Sequence, residues 1–135
     1  MSRLLTIGTF DIPHAGHAAF LRHCEAFADE VLVGINSDAF VTRYKGAPPV
    51  FDWYERCDLI AELGYVCHEN NGPGRDLIER IRPDVIAIGT DWARKDYYAQ
   101  IATPPDYFDD NGITLIYIPY TTGISTTILK ERLGG

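Results

Sequence analysis

Basic excess, paired cysteines and long apolar runs are all missing from these 135 residues. Twelve Lys and Arg stand against nineteen Asp and Glu, a net charge of −7, which argues against a nucleic-acid or anionic-membrane surface because both call for a basic face. The three cysteines, Cys24, Cys57 and Cys67, show no C-x-x-C spacing and so suggest neither a zinc site nor a redox pair. Cys24 and Cys57 fall on apolar faces of predicted helices and read as small core residues. No apolar run approaches the ~20 residues of a membrane span, and the first residues lack a leader-peptide pattern, so a reducing cytoplasm is the expected setting. Repeats, low-complexity tracts and interdomain linkers are missing as well.

What is present is a compact α/β rhythm. Hydrophobic residues make up 46% of the chain. A chain of this length is expected to form one domain, residues 1–135, that buries roughly 65–70% of its unfolded surface. Short apolar runs at Leu4–Ile7, Val31–Ile35, Tyr65–Cys67, Val85–Ile88 and Ile113–Ile118 alternate with helix-length segments. They read as buried parallel strands joined by crossover helices, a single Rossmann-like domain with a five-stranded parallel sheet and helices on both faces. The first helix is expected to open at Ala18, with Phe20, Leu21, Cys24, Phe27 and Ala28 as its apolar stripe. Asp52 and Glu55 have capping-box spacing for a helix ending near Gly64, and a short helix lies between Gly74 and Pro83. The stretch Arg43-Tyr44-Lys45-Gly46 reads as loop. Ala93 to Gly112 is longer than most connections in such a domain; it is either a functional loop or a partly helical lobe packed by its aromatics.

The chemistry concentrates at Gly8 to His17, GTFDIPHAGH, just beyond the first strand. A glycine turn there lets backbone N–H groups face an anion, and the positive end of the following helix favours phosphate. His14 and His17 are three apart, so on one helical turn they would share a face and address one ligand. A zinc reading needs a third ligand, and neither His23 nor His68 has spacing that supplies it. In an open parallel sheet the ligand lies beyond the carboxyl ends of the strands where strand order reverses. Residues after strands one, four and five, namely Gly8–His17, Gly89–Trp92 and Pro119–Thr127, are therefore expected to meet.

Taken together, GTFD with H-x-G-H, the run Gly123-Ile124-Ser125-Thr126-Thr127 and the weaker Gly89-Thr90-Asp91-Trp92 resemble the signature of the nucleotidyltransferase superfamily, in its glycerol-3-phosphate cytidylyltransferase-like branch. The resemblance implies transfer of a nucleotidyl group, most plausibly cytidylyl from CTP, to a small phosphorylated acceptor such as a polyol or sugar phosphate. An adenylyltransferase of the same superfamily and a nucleotide-binding module with little turnover are the alternatives. It also implies a homodimer, and Mg²⁺ as the triphosphate's counter-ion, held mainly by phosphates and water.

A phosphate monoester is already ionised at pH 7, so the reaction needs in-line positioning and charge neutralisation more than a strong base. His14 and His17 are expected to donate hydrogen bonds to the triphosphate in the transition state. Lys45 resembles the lysine that this family lays across the phosphates; the alternative is a solvated loop lysine. Gly8, Thr9, Phe10, Gly89, Asp91, Tyr120, Gly123, Ser125, Thr126 and Thr127 complete the expected nucleotide site, with Ser125–Thr127 also suited to cap a last helix. Asp11, Arg56 and Trp92 are expected on the substrate side. Asp11 could instead order the loop, Arg56 could pair with Asp52 or Glu55 on the surface, and Trp92 could simply pack under a turn. The chain departs from the branch at Tyr120 and Thr122, where the family has arginine and glutamate, and at Gly64, where it has arginine.

Overall fold

The computed structural model describes residues 1–12 and 15–119, with only the backbone of Ala15. His14, Tyr120, Gly123, Ser125, Thr126 and Thr127 lie outside the described residues.

Five strands alternate with helices: β1 (Arg3–Gly8), α1 (Ala15–Cys24), β2 (Glu30–Asn36), α2 (Asp38–Lys45), α3 (Trp53–Glu62), β3 (Val66–Asn70), α4 (Arg75–Ile81), β4 (Val85–Gly89), α5 (Tyr97–Gln100), α6 (Pro105–Asp110) and β5 (Thr114–Ile118). The sheet order is β3-β2-β1-β4-β5, with every pairing parallel. Register runs Leu4↔Val31 between β1 and β2 and Leu4↔Val85 between β1 and β4, so strand order reverses on either side of β1. This is the expected Rossmann-like arrangement, and it fixes the crevice at the carboxyl ends of β1 and β4.

Period-two side-chain alternation divides the core into two faces. Leu5 and Ile7 of β1 join Leu32, Ile86 and Ile88 under α4, α5 and α6, whereas Leu4, Val33, Ile35 and Ala87 lie under Phe20, Leu21 and Cys24 of α1 and Ile60 of α3. Gly34 sits where a Cβ would come within 2.6 Å of Leu77 Cδ2, so the bare backbone of β2 lets α4 approach closely. α3 begins at the expected capping box, with Asp52 accepting from Glu55 N at 2.8 Å and Glu55 accepting from Asp52 N at 3.3 Å.

Three expectations are corrected. α1 starts at Ala15 rather than Ala18 and ends at Cys24, leaving Phe27 53% exposed in the following turn instead of on an apolar stripe. Cys57 is only half-buried, against a fully buried Cys24. The segment read as loop around Lys45 is the helix α2, begun by Ser37, whose hydroxyl accepts from Phe40 N, and ended by Gly46 at φ 80°. That helix carries only one buried side chain, Val41, so its apolar signal is faint beside its end signals.

The long stretch from 93 to 112 resolves into a helical lobe. Tyr97, Ile101 and Phe108 are all buried in the main core and hold α5 and α6 against the sheet. No helix among the described residues is long and apolar enough to cross a membrane.

Candidate active site

Gly8 ends β1 at the point of strand reversal, and its lack of a side chain is structural. A Cβ there would come within 2.9 Å of the Phe10 ring, which lies buried against it. Phe10 has φ 51°, a left-handed backbone rare for an aromatic residue and costly by about 1–3 kcal/mol. Burial of its ring helps offset that strain. The ring also meets the imidazole of His17, with centroids 5.2 Å apart and planes tilted by 59°. His17 is the third residue of α1, on the first turn, where the helix dipole favours an anion.

Arg56 of α3 holds the turn from behind and is wholly buried. Its three guanidinium nitrogens reach three segments: Nε donates to Phe51 O at 3.0 Å, one terminal nitrogen to Thr9 O at 2.7 Å, and the other to Asp38 Oδ1 at 2.7 Å. Asp38 opens α2, and its second oxygen accepts from Trp53 N at 3.3 Å. A trans peptide sets C=O and N–H on opposite sides, so fixing the Thr9 carbonyl toward α3 turns the Phe10 N–H away from it. Arg56 is buried behind the turn, and in place of the surface pair with Asp52 or Glu55 it pairs with Asp38. Asp11 takes the loop-ordering role, since it is buried and its Oδ1 accepts from Phe51 N at 3.1 Å.

In front of the turn lies a crevice of about 170 Å³, with Gly8 and Thr9 at the end of β1, Asn36 at the end of β2 and Ile88 on β4. One wall is α2, through Phe40, Tyr44 and Lys45; the other is Trp92 with Tyr97, Gln100 and Ile101. Asn36 bonds on both sides, its Nδ2 donating to Thr9 Oγ1 at 3.2 Å and its Oδ1 accepting from Asn70 Nδ2 at 2.9 Å. Phe40 and Tyr44 stack nearly parallel, 5.8 Å apart and 3° between planes. Trp92 stands edge-on to Tyr97 at 5.4 Å, with Lys95 Nζ 5.1 Å from its ring centroid.

Of the residues singled out from sequence, Gly8, Thr9, Lys45 and Trp92 share this crevice. Phe10 and His17 form its neighbour on the far side of the Gly8 turn, and Gly89 is buried at the end of β4. Asp91 is exposed in the short 3-10 turn Thr90–Trp92, outside the crevice wall. Sequence reasoning missed Asn36, Asp38, Phe40, Tyr44 and Gln100. The signal for most of them was the Ser37 cap and the Gly46 stop around α2. A larger hollow of about 740 Å³ lies beside β3 and α4, lined in part by His68, Arg75 and Arg80. It holds none of the motif residues, so size alone does not select the site. Burial and the neighbouring Arg80 charge lower the pKa of His68 there.

The arrangement can seat phosphates over the Gly8–Thr9 turn, with hydroxyl, imidazole and ammonium groups close by. Among the described residues no three His, Cys, Asp or Glu side chains gather as a metal site.

Comparison with known proteins agrees with this geometry. Residues 5–132 match the family described as cytidylyltransferase-like. The bifunctional protein HldE of Nitrobacter hamburgensis is 37% identical over 96% of this chain, which spans only 26% of that relative's length. The FAD synthase of Pyrococcus horikoshii is 40% identical over 66% of this chain and 63% of its own. The crystal structure of a lipopolysaccharide core biosynthesis protein from Thermoplasma volcanium superposes with a TM-score of 0.69 at 29% identity, covering 90% of this chain and 97% of that one. With a phosphate-type turn at the strand reversal and a family match over nearly its whole length, the chain belongs to the cytidylyltransferase-like family of the nucleotidyltransferase superfamily.

Proposed function

We propose that the chain transfers a nucleotidyl group from a nucleoside triphosphate to a small phosphorylated acceptor. The observation that carries this reading is the Gly8–Thr9 turn, pinned by Arg56 at the strand reversal, with His17 on the first turn of α1 beside it. An acceptor phosphate oxygen attacks the α-phosphorus, a new P–O bond forms, the bond to the β-phosphate oxygen breaks, and pyrophosphate leaves. Fixed donors in a partly dehydrated cleft stabilise the charge that builds up on the α-phosphate. His17 and the Thr9 hydroxyl serve the triphosphate, while Lys45 at the crevice rim neutralises phosphate charge. His14 and Ser125–Thr127, expected partners at the same polyphosphate, lie outside the described residues. Mg²⁺ would arrive with the triphosphate and screen its charge, bound by phosphate oxygens and water, since among the described residues there is no carboxylate cluster to hold it.

For the donor, the motifs resemble a cytidylyltransferase, but the FAD synthase relative favours adenylyl transfer, because its named product joins an adenylyl group to a flavin phosphate. ATP is therefore the first donor to test and CTP the second. The lipopolysaccharide core biosynthesis neighbour supports a sugar or polyol phosphate as acceptor. Pyrophosphate release measured with ATP and CTP against a panel of sugar and polyol phosphates tests the proposal. Release that needs both a nucleotide and an acceptor supports it; nucleotide binding with no release for any pair leaves only a binding module.

A further inference from the structure

The lobe between 93 and 112 reaches the crevice through Tyr97, Gln100 and Ile101, of which Gln100, the last residue of α5, supplies a carboxamide. Four residues of helix would frame a ligand poorly by themselves, but this one is anchored. Tyr97 and Ile101, on either side of Gln100, are 3% and 1% exposed in the main core, and Phe108 of α6 packs with them. Gly74 lets the anchor seat closely, since a Cβ there would lie 3.3 Å from Ile101 Cβ. Gln100 is thus held against the sheet at half burial, and among the described residues its carboxamide makes no hydrogen bond.

Asn36, the other amide on the crevice wall, uses one N–H on Thr9 and its oxygen on Asn70. A carboxamide offers two donors and an acceptor, and partners that are not internal must come from water or ligand. The crevice volume, about 170 Å³, is below the ~300–1,000 Å³ of sites for drug-sized ligands, so it suits a short polar group rather than a fused ring system. The aromatic faces of Phe40, Tyr44 and Trp92 close its sides.

We propose that Gln100 is a specificity-determining residue for the acceptor, hydrogen-bonding a hydroxyl of a small polyol or sugar phosphate whose phosphate end lies beside Lys45. The assignment rests on the nucleotidyl-transfer reading above. It makes the lobe the acceptor-reading element, while the triphosphate lies on the His17 side of the Gly8 turn.

The test compares wild type with Gln100→Leu and Gln100→Glu. Steady-state pyrophosphate release is followed with glycerol 3-phosphate, glucose 1-phosphate and deoxy analogues of the better acceptor, with thermal melting as a control for folding. The expected result is a loss of roughly 10- to 100-fold in kcat/KM for the acceptor in Gln100→Leu, with the nucleotide KM unchanged. Wild type discriminates against one particular deoxy analogue, and Gln100→Leu loses that discrimination. Acceptor kcat/KM within twofold of wild type in Gln100→Leu, or hydroxyl discrimination that survives it, overturns the assignment while leaving nucleotidyl transfer intact. Absence of pyrophosphate release from wild type with every donor and acceptor overturns both.

Discussion

Arg56 shows what a single side chain does in this fold. It is the largest fully buried side chain among the described residues, and its charge is matched by Asp38 while further donors meet two backbone carbonyls from different loops. Truncation leaves two backbone carbonyls without this partner, while the 46% exposed Asp38 carboxylate is left to water. Arg56→Met is expected to destabilise the domain by about 2–3 kcal/mol in urea unfolding. Arg56→Lys keeps the charge but cannot span three acceptors, so it should recover only part of the loss. Stability within 1 kcal/mol of wild type in the methionine variant, roughly the noise of a surface change, contradicts this role. His17 makes the opposite prediction. It is half-buried beside Phe10, and His17→Ala should lower kcat by roughly 10²–10³-fold with the fold retained, as for loss of a transition-state donor. Unchanged turnover removes it from the mechanism. The place of His17 on the first turn of α1 was legible from sequence, because the glycine turn after an apolar run marks a strand end with a helix to follow. The role of Arg56 was not, because its partners Thr9, Phe51 and Asp38 come from three separate segments, and only tertiary folding joins them.

At the scale of elements, β1, β2 and β4 were legible as short β-branched runs that are largely buried, and α3 because of its capping box, whereas the edge strands β3 and β5 are partly exposed and β3 runs over Val66–Asn70 rather than Tyr65–Cys67. α2 was not legible, since its one buried residue gives almost no periodicity. The lobe at 93–112 was visible as an irregularity but not as a wall of the site. α5 and α6 are four and six residues long, too short to show a helical period, and their place is set by the burial of Tyr97, Ile101 and Phe108. Ile101→Ala should cost about 2–5 kcal/mol and raise the acceptor KM before it affects nucleotide affinity. Equal losses for both ligands would argue that the lobe supports the whole sheet rather than the crevice. The edge strand β3 carries a pH response. Burial first, and the Arg80 charge second, hold the pKa of His68 below 6.5 in the folded chain. The unfolded chain then binds more protons as pH falls through 6.5 toward that lower value, so folding stability falls over that window and is unaffected above it. His68→Asn should flatten the melting temperature between pH 7 and pH 5, a range set around the ordinary histidine value of about 6.5. An unaltered slope in that variant shows that other groups set the acid response.

The whole molecule joins a conventional doubly wound sheet to a crevice whose two halves have different origins. In the proposed reading, the phosphate half belongs to β1, α1 and the Gly8 turn, which the sequence motifs announce. The proposed acceptor half belongs to α2 and the lobe, of which the motifs announce only Lys45. An overall charge of −7 means that the phosphates rely on local donors rather than on a general positive field. Nucleotide binding to the folded state should raise the melting temperature with concentration, by an amount that follows RT ln(1 + [L]/Kd), and His17→Ala should weaken that rise. The most direct measurement is a crystal structure with the non-hydrolysable analogue α,β-methylene-ATP and Mg²⁺. The account predicts the α-phosphate over Gly8 and Thr9, within hydrogen-bond distance of the His17 imidazole, with the crevice beside Gln100 left open to an acceptor. Phosphates seated instead in the hollow beside Arg75 and Arg80, away from His17, contradict it.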